Sequence, residues 1–172
     1  MTMLNVDHRR IARMLLRAER LPLEGMVPLA EVLHRAYPRQ VVAGDVVIRE
    51  GEPARELLLV VRGSVVVKLK DARVMDVRVA SLRAPLLLGH VAVIDGGKRS
   101  ATCVMTSSGL LLKMPIAEVR SVLRSTGRGA EVLRDLLMAN MFRHLGDASD
   151  RLRAYVQENP EDPVPVRRPG RS

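Results

Sequence analysis

Polar and apolar positions change their period twice along this chain. Over residues 7–19, Ile11, Met14, Leu15 and Ala18 share one stripe of a 3.6-residue helix, while Arg10, Arg13, Arg17 and Arg20 fall largely on the other side. Asp7 stands where an N-cap is needed, and Pro22 ends the run. Leu29, Val32 and Leu33 predict a second helix over 27–36, stopped by Tyr37-Pro38. Residues 1–40 therefore form an N-terminal helical segment. From Val41 the helical period gives way to short β-branched runs at 46–48, 56–61, 64–69, 74–82, 101–107 and 110–114. Turn residues separate them at Glu50-Gly51-Glu52-Pro53, Arg62-Gly63, Lys70-Asp71-Ala72 and Ser107-Ser108-Gly109. Six or more short strands around one inserted loop predict an antiparallel β-roll over 41–114, in a mainly β chain with flanking helices.

The helical period returns at Pro115, which suits a helix start because its missing N–H would find no partner in the first turn. Glu118 favours the same end. Beyond Gly127 and Gly129, Leu133, Leu137, Met141, Leu145, Ala148, Leu152 and Tyr155 recur at steps of three, four or seven. Such a stripe packs on the roll or on a twin helix. Residues 115–158 thus read as C-terminal helices, with a kink or break at Gly146, where glycine weakens a helix by about 1 kcal/mol relative to Ala. Residues 159–172 carry four prolines and three arginines and read as a disordered tail.

Composition narrows the function. The 172 residues carry a net charge of +9, which attracts phosphate-rich or acidic partners without naming one. The basic first helix could touch phospholipid or nucleic acid, but a packed helix with a solvated basic face accounts for it more simply. Aromatics make up only 2% (Phe142, Tyr37 and Tyr155), so the core is aliphatic and base stacking has little to work with. Cys103 is alone, which excludes an internal disulfide, and His8, His34 and Cys103 show no ligand spacing. No apolar run has the length of a signal peptide core or a membrane span, so a cytoplasmic protein is expected. No P-loop, dinucleotide fingerprint, HExxH or GxSxG occurs, and catalysis is not expected.

The chemistry is concentrated in 86–102. Gly89 permits close backbone approach, a short apolar turn follows, Asp95-Gly96-Gly97 reverses the chain, and Arg99 stands beside Ser100. Amide N–H groups at the start of a short helix, faced by a guanidinium, make a cradle for one small phosphate.

These residues resemble the phosphate-binding cassette of cyclic nucleotide-binding domains, the family of catabolite activator protein and the regulatory subunits of cAMP-dependent kinase. The family pattern runs Gly-Glu, a small residue, two apolar residues, a turn, then Pro-Arg-(Ser/Thr/Ala)-Ala; here it reads Gly89-His90-Val91-Ala92 through Lys98-Arg99-Ser100-Ala101. Gly44, Gly51 and Gly63 match its turn glycines in order, so the resemblance covers about Val41 to Met114. It implies a β-roll that binds cAMP or cGMP and needs no other cofactor. It assigns phosphate and ribose contacts to Gly89, His90, Val91, Ala92, Lys98, Arg99 and Ser100. If the long C-terminal helix lids the pocket, Asn140 and His144 meet the base. Two positions depart from the pattern: His90 replaces the Glu that accepts the ribose 2′-OH, and Lys98 replaces Pro. A neutral imidazole offers one acceptor where a carboxylate offers two oxygens.

The function expected is a stand-alone regulatory module that senses a cyclic nucleotide and signals through its C-terminal helices. A protein partner is expected, and the C-terminal stripe permits a homodimer. The helix-turn-helix of catabolite activator relatives has no room in 160–172, so specific DNA binding is not expected. The alternative is a degenerate fold that binds no nucleotide and serves as a protein interaction scaffold.

Overall fold

The computed structural model describes residues 6–70 and 77–158, with the backbone alone at 77 and 78. Two helices come first. α1 (His8–Ala18) is capped by Asp7, whose carboxylate accepts the Arg10 N–H at 2.9 Å, and it buries Ile11, Ala12, Leu15 and Leu16. It ends at Ala18, and Arg20, two residues on, takes a positive φ of 56° before Pro22. A 3-10 turn at Leu23–Gly25 leads into α2 (Met26–Leu33), shorter than the 27–36 expected.

Eight strands follow: β1 (Tyr37–Val41), β2 (Val46–Ile48), β3 (Glu56–Arg62), β4 (Ser64–Leu69), β5 (Val77–Arg83), β6 (Leu86–Leu88), β7 (Thr102–Met105) and β8 (Gly109–Pro115). They form two four-stranded sheets, ordered β1-β8-β3-β6 and β2-β7-β4-β5, with every pairing antiparallel. α3 (His90–Asp95) is inserted between β6 and β7, and α4 (Ile116–Arg124) and α5 (Arg128–Glu158) close the described chain. This is the expected β-roll with flanking helices.

Two strands escaped the sequence reading. α2 ends at Leu33, ahead of Tyr37-Pro38, which opens β1 instead; Pro38 is tolerated there because β1 is an edge strand, bonded only to β8. β6 is a three-leucine run with no alternation to betray it. Of the strand expected over 74–82, residues 74–76 lie outside the described residues, as do Asp71 and Ala72 of the expected turn and the tail 159–172. α5 runs helical through Gly146, so the expected break does not occur.

β3 and β6 of the first sheet are buried on both faces, which explains why β3 reads as a continuous apolar run. Leu57 and Leu59 of β3, Leu87 of β6, and Leu112 and Met114 of β8 join the helices in one core with Leu15, Leu29, Val119, Leu133 and Leu136. Their alternates Leu58, Val60, Leu86, Leu88 and Leu111 point into the roll, against Val65, Cys103 and Met105 of the second sheet. Each fully buried leucine contributes about 1.5–3 kcal/mol, so the first sheet is anchored from two sides. That rigid sheet carries β6 and, at its end, the turn into α3.

Candidate functional site

The strand-to-helix turn after β6 is made by Gly89, whose φ of 77° lies in the left-handed region and serves as the N-cap of α3. A second constraint acts on the same atom. A Cβ at Gly89 would sit 1.8 Å from Arg99 Nη1, so the guanidinium occupies the space a side chain would need.

Arg99 is fixed from both ends. Its main chain is pinned by Arg99 N–H donating to Glu52 O at 2.8 Å and by Gly51 N–H donating to Arg99 O at 2.9 Å. Its Nη1 donates to Gly89 O at 3.0 Å and its Nη2 to Glu56 O. The residue is 8% exposed. Burial lowers the guanidinium's pKa from its ordinary value, opposed by Cys103, Glu56 and Glu52. Glu56 is itself held in place by Lys113 at 2.7 Å and by the Tyr37 hydroxyl. Burial pushes the Glu56 carboxyl upward, but these bonds and the nearby positive charges win and leave it below the usual carboxylate range. The two carbonyls use two of the five N–H donors of Arg99.

Arg99 borders a cavity of about 480 Å³ between β6, α3, the second sheet and α5. Its walls are largely aliphatic: Ile48, Val67, Leu82, Leu86, Leu88 and Ala92, with the buried Cys103 thiol, which desolvation pushes up to about 11. Gly89, His90, Val91, Ala92 and Ser100 also line it, so six of the seven cassette residues meet there. Lys98 is the exception. It is exposed, its backbone bridges Pro53, and it is absent from the lining. The Asp95 turn forms as expected, its Oδ1 accepting the Gly97 N–H at 2.8 Å.

α5 walls the cavity with Asn140, Arg143, His144 and Asp147, an i, i+3, i+4, i+7 set on one face. The helix is therefore placed as a lid, with Asn140 and His144 both at the cavity. Asn140 is buried, however, and its Nδ2 already donates to Glu19 Oε1 at 3.0 Å; Arg143 pairs with the same carboxylate. The Glu19 side chain, only 4% exposed, thus ties the end of α1 to the lid.

His90 opens α3 and is 7% exposed. Neither ring nitrogen hydrogen-bonds to protein, and the ring meets His144 edge-on, with centroids 5.9 Å apart. Desolvation first, then the charges of His144 and Arg143, lower its pKa to about 4, so His90 is neutral at pH 7. Sequence reasoning missed the Glu56 carbonyl, Glu19, Arg143 and Asp147. The helical spacing of 140, 143, 144 and 147 was the available signal for the last two.

Comparison with known proteins places this geometry. Residues 38–126 match the model of the cyclic nucleotide-binding domain. Over 110 residues the chain is 31% identical to cyclic nucleotide-gated potassium channels of Rhizobium etli and Mesorhizobium japonicum, matching 64% of this chain but only 29% of each channel. The fold is similar to that of a cyclic nucleotide-binding domain from Methylobacillus flagellatus (TM-score 0.72, 18% identity, 86% of this chain and 85% of that one). It is also similar to the catabolite activator protein of Thermus thermophilus (TM-score 0.61, 23% identity, 75% and 59%).

Proposed function

This chain belongs to the cyclic nucleotide-binding domain family, and on that premise we propose that its cavity takes one cyclic mononucleotide, cAMP or cGMP, with the phosphate at Arg99. The observation that carries this reading is the Arg99 guanidinium, buried and oriented by two backbone carbonyls at the wall of a cavity whose β-sheet side is largely aliphatic. A guanidinium so preorganised retains donors for a phosphate and loses little freedom on binding. The volume falls within the roughly 300–1,000 Å³ typical of small-molecule sites. Aliphatic walls suit a purine, and Ser100 and the first turn of α3 lie beside the phosphate position.

The signal leaves through α5. A nucleotide that engages Asn140 or Arg143 competes with Glu19 for them, so occupancy changes how the lid sits on α1. Beyond the cavity, Met138, Phe142, Leu145, Leu152 and Val156 are exposed at steps of four, three, seven and four along α5. In this reading that stripe pairs with a second copy or with a target protein.

Thermal melting with cAMP and with cGMP tests the reading. Ligand at a hundred times Kd stabilises by about 2.7 kcal/mol, a shift of roughly 5–10 °C for a chain of this size. Arg99→Ala should abolish the shift. No shift with either nucleotide at millimolar concentration removes the reading and leaves the scaffold alternative.

A further inference from the structure

Among the described residues no carboxylate forms an ion pair with Arg99; its guanidinium rests on two neutral carbonyls, those of Gly89 and Glu56. A cation this deeply buried gains most from a counter-charge, and one stands close by. Glu56 gives its own carbonyl to Nη2, so its side chain starts from the residue the guanidinium already touches. The Glu56 carboxyl lies below the usual carboxylate range, so it is ionised at neutral pH and able to compete with a phosphate for Arg99. The other acid near the guanidinium, Glu52, is exposed and its charge is solvated.

Glu56 is instead held by other partners. Tyr37 of β1 and Lys113 of β8 are direct cross-strand neighbours, and Lys113 also faces Leu58 of β3, two residues beyond Glu56 on the same side of that strand. The register thus brings both side chains to the Glu56 carboxylate. Lys113 Nζ lies 2.7 Å from Oε2, the Tyr37 hydroxyl donates to Oε1, and the ammonium sits 5.5 Å from the centre of the Tyr37 ring. Both carboxylate oxygens are therefore engaged. None of the three side chains lines the cavity, so they act on a ligand there only through Arg99. We infer that Lys113 and Tyr37 are positioning residues for anion binding: by holding the Glu56 carboxylate off Arg99, they leave the guanidinium to be met by the phosphate of the ligand.

This inference rests on the placement of the phosphate at Arg99 and deepens it. Calorimetric titration of the full chain with cAMP and cGMP compares the wild type with Lys113→Met, Lys113→Arg, Tyr37→Phe, Glu56→Gln and the double variant Lys113→Met/Glu56→Gln, each checked for folding by its melting curve. Without the lysine, Glu56 turns to Arg99 and the dissociation constant rises about tenfold or more, the worth of one charge-assisted hydrogen bond. Tyr37→Phe removes one hydroxyl from a half-exposed ring and raises the constant about threefold. Lys113→Arg, which still holds the carboxylate, keeps the wild-type value. Glu56→Gln removes the competing charge and does not weaken binding. In the double variant affinity returns to within about twofold of wild type although the lysine is gone. A lysine that only braced the sheet would lower Tm in both backgrounds and give no such rescue. Should Lys113→Met not fold, Tyr37→Phe with and without Glu56→Gln completes the same cycle.

Unchanged affinity in folded Lys113→Met and Tyr37→Phe overturns the inference alone, because wild-type binding would still be seen. A loss that Glu56→Gln fails to restore also overturns it alone. Silence in every arm, wild type included, overturns it together with the reading on which it rests.

Discussion

Replacing Gly89 by Ala isolates the contact on which the site is built. Two costs are visible. A residue with a Cβ at φ 77° loses about 1–2 kcal/mol in the left-handed region. The new Cβ would also lie 1.8 Å from Arg99 Nη1 and 2.8 Å from Cζ, so the guanidinium must leave its place. It then forfeits its bonds to Gly89 O and Glu56 O, each worth about 1.5–3 kcal/mol, although water recovers much of this for an arginine that swings outward. The net expectation is about 3 kcal/mol in total, or roughly 6–12 °C in Tm. In an Arg99→Ala background the clash has no partner, and only the backbone strain of about 1–2 kcal/mol remains. Chemical denaturation of the wild type, both single variants and the double variant yields the coupling directly, expected at about 1–2 kcal/mol. Equal cost of Gly89→Ala in the two backgrounds, within about 0.5 kcal/mol, would refute the claim that Gly89 is required by the guanidinium.

Three further outcomes follow from the structure. Glu19→Ala leaves the buried Asn140 amide without its acceptor and frees Arg143, costing about 1–3 kcal/mol and raising amide hydrogen exchange along the 140–147 segment of α5 relative to α4. Because the folded pKa of His90 is lowered to about 4 from 6.5, the unfolded chain binds the proton more readily between those values. Stability from this residue is thus complete above pH 6.5 and is lost as pH falls toward 4, by at most about 3 kcal/mol, and His90→Gln should flatten that limb of a denaturation-versus-pH profile. If the exposed α5 stripe pairs two copies, light scattering gives twice the 19.0 kDa chain mass, and joint substitution of Phe142 and Leu145 by Asp returns the monomer with the roll intact.

Much of this site was legible because its residues are adjacent in sequence. Gly89, Arg99 and the Asp95-Gly96-Gly97 turn lie within eleven positions, and local steric needs fix their types: a left-handed N-cap, a guanidinium ten residues on, a turn between them. The long helix was readable from its three-four spacing, but its continuity through Gly146 was not, since one glycine costs less than thirty other helical residues supply. β1 and β6 were missed for opposite reasons. Pro38 argued against a strand until the edge position was known, and Leu86–Leu88 has no alternation because both its faces are buried. The contacts that cross the fold were beyond local reading: Glu19 with Asn140 and Arg143, Arg99 with the Glu56 carbonyl, and His90 with His144 join positions 43 to 124 residues apart. Lys98, beside Arg99 in sequence, is exposed at an isolated bridge to Pro53 and takes no part in the cavity lining.

Titration calorimetry of the wild type and Arg99→Ala with cAMP and cGMP bears most directly on the central claim that the cavity beside Arg99 holds a cyclic phosphate. The account predicts saturable heat at one site per chain for at least one nucleotide, absent from the folded Arg99→Ala variant. No heat from either nucleotide, or equal binding by wild type and variant, would contradict it.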